Sequence, residues 1–173
     1  MRKPAVVLMG LLAAMLCFGA VASAGIINPT KVGASVSPRH IKKAPYTFTT
    51  SGKITFPTSY CPPGNSNPAY CVPITAAEAC TGKVSLKIVL GKDPILADAK
   101  KTIKKTTGKV SSKCTYSIKT KLPKKDFKAT STYTPHQKGA YVHVAMVVKF
   151  LGNTVLNPAS AHTQTVIAKL TQP

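Results

Sequence analysis

The amino-acid sequence predicts an all-β protein, an antiparallel β-sandwich of about seven strands. Apolar and polar residues alternate in several short segments, and this period of two is typical of strands that bury one face. Glycine, proline and asparagine separate these segments, and the 173 residues include 14 prolines and 11 glycines. No segment has the sustained apolar period of an amphipathic helix. Many short strands between turns are the usual pattern of a sandwich.

The predicted strands follow one another along residues 45–173. Their inward positions are Tyr46 and Phe48, then Ile54 and Phe56 after Ser51-Gly52; Val84, Leu86, Ile88 and Leu90; Cys114, Tyr116, Ile118 and Leu122; Val142, Val144, Met146, Val148 and Phe150; and Val166, Ala168 and Leu170. Residues 127–133 are a threonine-rich candidate strand. Residues 95–110 fit a short amphipathic helix or an exposed edge strand, and their threonines favour the strand. Residues 57–73, dense in proline, asparagine and glycine, are predicted to be a loop.

The first 24 residues have the three-part layout of a secretory signal peptide. Arg2 and Lys3 give a basic start, residues 5–20 are almost wholly apolar, and Ala22-Ser23-Ala24 supplies small residues before a cleavage position. The apolar core is short for a membrane span, so an uncleaved anchor is the weaker alternative. We therefore expect cleavage near Ala24, a mature chain without a transmembrane segment, and a location that is secreted, extracellular or at the cell envelope.

The mature chain is predicted to be one domain preceded by an arm. Cleavage after residue 24 leaves 149 residues, enough for a single domain with its own core. Residues 25–44 contain prolines, a glycine and a small basic group but few periodic apolar positions, so they are predicted to be a flexible N-terminal arm. The β-sandwich domain is then expected to occupy residues 45–173.

Four cysteines remain after the leader: Cys61, Cys71, Cys80 and Cys114. An even number in an exported chain indicates two disulfide bonds, for which three pairings exist. We favour Cys61–Cys71 and Cys80–Cys114, since the first pair would close a small loop and the second would join two predicted strands.

The chain is strongly basic, with 24 lysines and arginines against 4 acidic residues. Without the leader the net charge is +18, which attracts polyanions. Arg39 is the one arginine of the mature chain, and lysine is a solvated point charge, so no sequence-specific nucleic-acid binding is expected. The candidate polyanion patch consists of Lys100, Lys101, Lys104, Lys105, Lys109, Lys113, Lys119 and Lys121. The alternative is that these lysines are only a solvated, solubilising surface.

A second candidate site is the loop that the Cys61–Cys71 bridge would close. Tyr60 and Tyr70 lie beside its two cysteines. Tyrosines on a stapled loop can form a recognition surface, because aromatic anchors bind at a low entropic cost. The alternative is that they cover one end of the sandwich.

The residues needed for catalysis or metal binding are sparse. The four acidic residues Glu78, Asp93, Asp98 and Asp126 are isolated, which disfavours acid–base and glycosidic chemistry. The histidines His40, His136, His143 and His162 do not repeat at metal-binding spacing, and His143 is expected to point outward from its strand. We therefore expect no enzyme activity, no metal site and no cofactor.

Three segments resemble bacterial immunoglobulin-like domains of secreted and cell-surface proteins. They are Ala79–Ile88, Ser112–Ser117 and Val148–Ser160, the last of which contains an aromatic residue, a Gly-Asn turn and a trailing Pro-Ala-Ser segment. The resemblance covers about residues 45–171. It implies an immunoglobulin-like sandwich in which Cys80, at the head of one strand, is bridged to Cys114 on another.

These observations lead to two functional hypotheses. The first is an exported, non-enzymatic immunoglobulin-like module with a binding or structural role at the bacterial cell envelope or in the extracellular space. Its partner would be an anionic envelope polymer or another surface protein. The alternative is a free cationic effector that binds nucleic acid or anionic membrane or wall polymers. An enzyme would require a pocket that gathers Asp98 or Asp126 with a histidine.

Overall fold

The computed structural model describes residues 27–64, 67–90, 101–126 and 141–169. The leader, Lys100 and the candidate strand at 127–133 lie outside these residues. The described residues form twelve strands: β1 (Lys31–Val32), β2 (Ser35–Ser37), β3 (His40–Ile41), β4 (Tyr46–Thr55), β5 (Ser59–Tyr60), β6 (Val72–Pro73), β7 (Lys83–Leu90), β8 (Thr102–Lys109), β9 (Thr115–Leu122), β10 (Tyr141–Phe150), β11 (Ala159–Ser160) and β12 (Gln164–Lys169). A single helical turn, α1 (Ala76–Ala79), and two 3₁₀ turns, Pro68–Tyr70 and Lys124–Asp126, complete the described elements.

The strands form two main sheets, so the prediction of an all-β, antiparallel architecture is confirmed. In the four-stranded sheet, β1 and β2 pair with one side of β4, and β9 pairs with it as well. The six-stranded sheet has the order β3-β12-β10-β7-β8, with β11 paired to β10. All of these pairings are antiparallel except that of β3 with β12. In the described part of the chain, no helix is long and apolar enough to span a membrane.

The inward side chains of both sheets form one hydrophobic core. Alternation of buried and exposed residues runs along β7, β9 and β10, as the sequence predicts. Burial of this apolar surface is the main stabilising contribution in a domain of this size. Residues that lie in the core with almost no exposed surface are Tyr46, Phe48, Ile54, Val84, Leu86, Ile88, Leu90, Leu122, Val142, Met146, Phe150 and Leu156.

Part of the predicted flexible arm is instead built into the sheets. Between residues 31 and 41, β1 and β2 pair with β4, and β3 runs parallel to β12. Val32, Val36 and Ile41 enter the core from these strands. Each strand has only two or three residues, too few to show a period of two, so the local pattern resembled a linker. These three short strands are instead held in place by backbone hydrogen bonds to β4 and β12, which are distant in sequence.

The strand β4 runs continuously through Ser51-Gly52, which separates the two pairs of predicted inward aromatic and aliphatic residues in the sequence. Its ten residues include Gly52, which is needed for packing rather than for a turn. A β-carbon at this position would overlap the Gly33 carbonyl oxygen and lie 2.6 Å from the Tyr116 hydroxyl oxygen. Tyr116 donates a hydrogen bond of 2.6 Å to that same carbonyl, which fixes the crossing of the N-terminal segment over β4.

Both favoured disulfides, Cys61–Cys71 and Cys80–Cys114, are present. The first closes the segment 57–73, which was predicted to be a loop but also contains the short antiparallel pair of β5 and β6. Tyr60 lies opposite Val72 in this pair, and the 3₁₀ turn lies within the closed loop. The second disulfide joins the end of α1 to the start of β9.

Asn153 connects the turn after β10 to residues 79–81 by side-chain hydrogen bonds. Its side-chain Nδ2 donates to the carbonyl oxygen of Ala79 at 2.9 Å and to Thr81 Oγ1 at 3.0 Å. Its Oδ1 accepts from the backbone amides of Val155 and Leu156 at 2.9 and 2.6 Å. One polar side chain thus satisfies several backbone groups at the end of the sandwich that carries both disulfides.

Candidate functional site

The lysines of the predicted patch are distributed over two sheets rather than on one face. The cross-strand register places Lys105 and Lys109 of β8 on the outer face of the six-stranded sheet. Lys119 and Lys121 of β9 lie on the outer face of the four-stranded sheet. Lys101 precedes β8 and Lys113 lies in the turn before β9, and both are exposed. The patch therefore wraps around an edge of the molecule.

This arrangement arises because, among the described strands, β8 and β9 are the edge strands of different sheets, and they lie against each other. The Lys104 ammonium donates a hydrogen bond of 3.2 Å to the backbone carbonyl of Lys121. A β-carbon on Gly108 would come within 2.7 Å of Ile118 Cγ1, so the two strands approach closely at the far end of β8. The connection between them folds back through Cys114, which is bridged to Cys80.

The structure adds two lysines of β7 that the sequence analysis did not include. Lys83 lies directly opposite Lys109, and Lys87 lies directly opposite Lys105. These positions follow the outward period of β7, but only the register with β8 shows that they face other lysines. We call the lysines of β7, β8 and β9 the basic edge: Lys83, Lys87, Lys104, Lys105, Lys109, Lys119 and Lys121.

The basic edge has no compensating charge within its own strands, since β7, β8 and β9 contain neither aspartate nor glutamate. Like charges directly opposite each other on neighbouring strands destabilise a sheet. Lys149 of β10, opposite Ser85, extends the positive surface of the same outer face. The result is a concentrated positive potential that an anionic ligand would relieve.

The stapled hairpin, β5 and β6 with the Cys61–Cys71 bridge, forms one wall of an apolar cleft of about 320 Å³. Tyr60 lines this cleft, whereas Tyr70 projects outward with 63% of its surface exposed. The two tyrosines thus share the hairpin but not one contact surface. The remaining lining residues are Ile27, Val72, Pro73, Ile74, Glu78 and Val155.

Glu78 at this cleft has a structural role. Its Oε2 accepts hydrogen bonds from the Thr75 hydroxyl at 2.7 Å and the Thr75 backbone amide at 3.0 Å, and Thr75 Oγ1 accepts from the Glu78 amide. This reciprocal capping box begins α1. The hydrogen bonds from the Thr75 hydroxyl and then its amide hold the pKa of Glu78 below its ordinary value.

A second cavity, of about 330 Å³, lies on the outer face of the six-stranded sheet near the edge formed by β3. His40, Tyr141, His143 and Ile167 line it, and His143 is exposed as the sequence predicts. Neither cavity combines a carboxylate with a histidine among its described lining residues. Within residues 27–64, 67–90, 101–126 and 141–169, no three His, Cys, Asp or Glu side chains are grouped to hold a metal ion.

Burial raises the pKa of Tyr116 to about 12, which keeps its phenol protonated at physiological pH. Because its hydroxyl is already bonded to Gly33, this tyrosine is a core group rather than an acid–base catalyst. Among the described residues, the basic edge is the densest group of side chains with the same charge. Comparisons with protein families, with characterised proteins and with solved structures find no match to this chain.

Proposed function

We propose that this protein is an exported, non-enzymatic, immunoglobulin-like module that binds an anionic polymer of the cell envelope through its basic edge. The observation that carries the proposal is the cross-strand register of β7 and β8, which places Lys83 opposite Lys109 and Lys87 opposite Lys105. Like charges directly opposite each other destabilise a sheet, so we infer that this arrangement serves a ligand.

The strand order supports the immunoglobulin-like part of the proposal. In an immunoglobulin sandwich the second and fifth strands share one sheet, while the third, sixth and seventh form the other. Here β4 and β9 share a sheet, and β7, β10 and β12 lie side by side in the other. The disulfide that links the region before β7 to β9 differs from the bridge of antibody domains, as the resemblance in sequence also implies.

Export and location at the envelope are supported by the leader pattern of residues 1–24 and by the two disulfides. Disulfides form and persist outside the reducing cytoplasm. Anionic polymers are abundant at that location, and a mature chain with a net charge of +18 is attracted to them without needing a shaped pocket.

Lysine is suited to this type of ligand. Its ammonium is a compact, mobile point charge that pairs with phosphate or carboxylate groups without requiring one geometry. Binding by several lysines to a linear polyanion releases counterions, so the affinity should fall steeply as salt rises. Each lysine near an anionic surface contributes about 1 kcal/mol, so loss of two should weaken binding about 30-fold.

The test measures retention of the purified protein on anionic wall polymer and on DNA over a salt series. The variant Lys87→Gln/Lys105→Gln removes one cross-strand pair, and Lys42→Gln/Lys43→Gln is a control with the same change in charge at two exposed lysines outside the basic edge. We expect the first variant alone to weaken retention on the wall polymer and to flatten its salt dependence.

Three results would contradict the proposal. Equal weakening by both double variants would mean that net charge, not the basic edge, attracts the polymer. Retention that does not change with salt would exclude an electrostatic site. Retention on DNA equal to that on wall polymer would instead favour a free cationic effector.

A further inference from the structure

The outer face of the four-stranded sheet is composed only of hydroxyl and ammonium side chains. Alternation along β1, β2, β4 and β9 directs the apolar residues and Thr50 and Thr120 inward and the polar ones outward. We call the outward set the hydroxyl face: Ser35, Ser37, Thr47, Thr49, Ser51, Thr55, Thr115 and Ser117, with Lys31, Lys53, Lys119 and Lys121. Among the described residues of these four strands, the face has no carboxylate, no aromatic ring and no aliphatic side chain.

This composition is not a general property of outward positions in this chain. On the outer face of the six-stranded sheet, Val89, Ala145, Val147 and Ile167 occupy comparable positions. Both faces belong to the same protein and the same surroundings, so solubility and strand propensity alone do not explain why apolar residues occur on one and not on the other.

The hydroxyl groups are arranged in rows across the sheet. Ser37, Thr49 and Lys119 form one row, while Ser35 and Ser51 continue to Ser117 in the next. Neighbouring strands lie about 4.8 Å apart, and alternate residues along a strand repeat about every 6.7 Å. Ser35 Oγ lies 3.3 Å from Ser51 Oγ and 3.2 Å from the Ser51 carbonyl oxygen, so neighbouring polar groups are in hydrogen-bonding contact.

Two of the rows end in lysines that belong to the basic edge. Lys119 and Lys121 lie on β9, opposite Thr49 and Thr47. The hydroxyl face is thus continuous with the positive edge, and an anionic chain attracted to the edge can extend over the hydroxyl rows. All four charged side chains of the face are positive, which makes the face complementary to an anionic ligand.

We propose that the hydroxyl face binds an anionic polymer whose repeating units also carry hydroxyl groups, the chemistry of a polyol phosphate. The lysines pair with the phosphates, and the serine and threonine hydroxyls, each both a donor and an acceptor, pair with the polyol hydroxyls. Without an aromatic ring the face offers no stacking platform for bases, which disfavours single-stranded nucleic acid. This inference rests on the proposed function and specifies the polymer.

The test removes hydroxyls without changing charge. The variant Thr49→Val/Ser51→Ala/Ser117→Ala deletes three neighbouring hydroxyls in two rows. The control deletes three exposed hydroxyls that lie outside both the hydroxyl face and the basic edge, through Ser59→Ala, Thr163→Val and Thr165→Val. Affinity is measured for polyglycerol phosphate, which has charges and hydroxyls, and for inorganic polyphosphate of equal charge, which has charges only.

We expect the hydroxyl-face variant to bind polyglycerol phosphate about tenfold more weakly, since several hydrogen bonds to the ligand are lost. Its affinity for inorganic polyphosphate and the salt slope for both polymers should stay unchanged, because no lysine is altered. The control variant should bind both polymers as the unmodified protein does. A conservative variant that keeps all three hydroxyls, Thr49→Ser/Ser51→Thr/Ser117→Thr, should retain affinity within about twofold.

The possible failures can be distinguished. If the hydroxyl-face variant binds both polymers normally, or loses both equally, the inference is wrong while the proposed electrostatic function stands. Equal loss in the conservative variant would also overturn the inference, because its hydroxyls are intact. If the unmodified protein binds RNA as tightly as polyglycerol phosphate, the polymer class is wrong. If it binds neither polymer in a salt-dependent way, the proposed function itself is wrong.

Discussion

Replacement of Lys105 by glutamate is expected to stabilise the protein and at the same time to weaken its binding to anionic polymers. Lys105 lies directly opposite Lys87, on strands without any acidic residue. The substitution converts a repulsive cross-strand pair into an attractive one. Residues that limit stability while serving a ligand are common at functional sites, so opposite effects on folding and binding would be informative.

The magnitude follows from the position of the pair. Two unit charges about 6 Å apart in water interact by about 0.7 kcal/mol, and salt at physiological strength roughly halves this. Because the sign reverses, the change is about 0.7 kcal/mol, within the range of about 0.2–1 kcal/mol for cross-strand pairs. For a domain of this size, that corresponds to an increase in melting temperature of about 2 °C. Reversal of one lysine charge should also reduce polymer affinity about 30-fold.

The assay is urea unfolding at low and high salt, with polymer binding measured on the same samples. Lys31→Glu is the matched control, because the substitution makes the same change in net charge. Lys31 also points outward from a strand, but its cross-strand partner is the uncharged Thr55. The stabilisation by Lys105→Glu should exceed that of the control and shrink at high salt. Equal stabilisation by the two variants would refute the argument, since it would then reflect net charge and not the cross-strand pair.

Four further predictions concern the frame that holds the site. Thr50→Val should raise the free energy of unfolding by about 1 kcal/mol in urea titrations, because the buried Thr50 hydroxyl has no hydrogen-bond partner among the described residues; a loss of stability would show that this hydroxyl is satisfied. Asn153→Ala should lower the free energy of unfolding by about 3 kcal/mol, since several backbone groups lose their hydrogen-bond partner. A change below about 0.5 kcal/mol would be inconsistent with these hydrogen bonds. Selective removal of the Cys80–Cys114 bridge, which spans 34 residues, should lower the free energy of unfolding by about 4 kcal/mol in the loop-closure model. An unchanged unfolding midpoint would contradict this value. The pKa of Tyr116 is raised from 10.0 to about 12, so the unfolded chain releases this proton first and stability should fall between pH 10 and pH 12; Tyr116→Phe should reduce that slope, and an identical pH profile would exclude the contribution.

Several elements were predictable because their information is local. The strands β7, β9 and β10 each have eight or more residues, long enough for a period of two to separate inward from outward side chains. The disulfide pairing was also predicted correctly, since one pair closes a short loop and the other joins two regular segments.

Other elements depend on partners that are remote in sequence. The strands β1, β2 and β3 have two or three residues each and exist only because β4 and β12 supply hydrogen-bond partners. Gly52 in β4 is required by the close approach of Gly33 and Tyr116. The intrinsic strand preferences of the residues give no information about either set of partners.

The candidate site shows the same division. By itself the sequence determined a basic, disulfide-bonded β chain, the residues that share a face within each long strand, and a cluster of lysines near residues 100–121. Only the tertiary structure decided that β8 and β9 are neighbouring edges of different sheets, that Lys83 and Lys87 face Lys109 and Lys105, and that the hydroxyls of three distant segments form one face. The physical reason is that strand period is a local property, whereas strand partners and register are set by how the whole chain buries its apolar faces together.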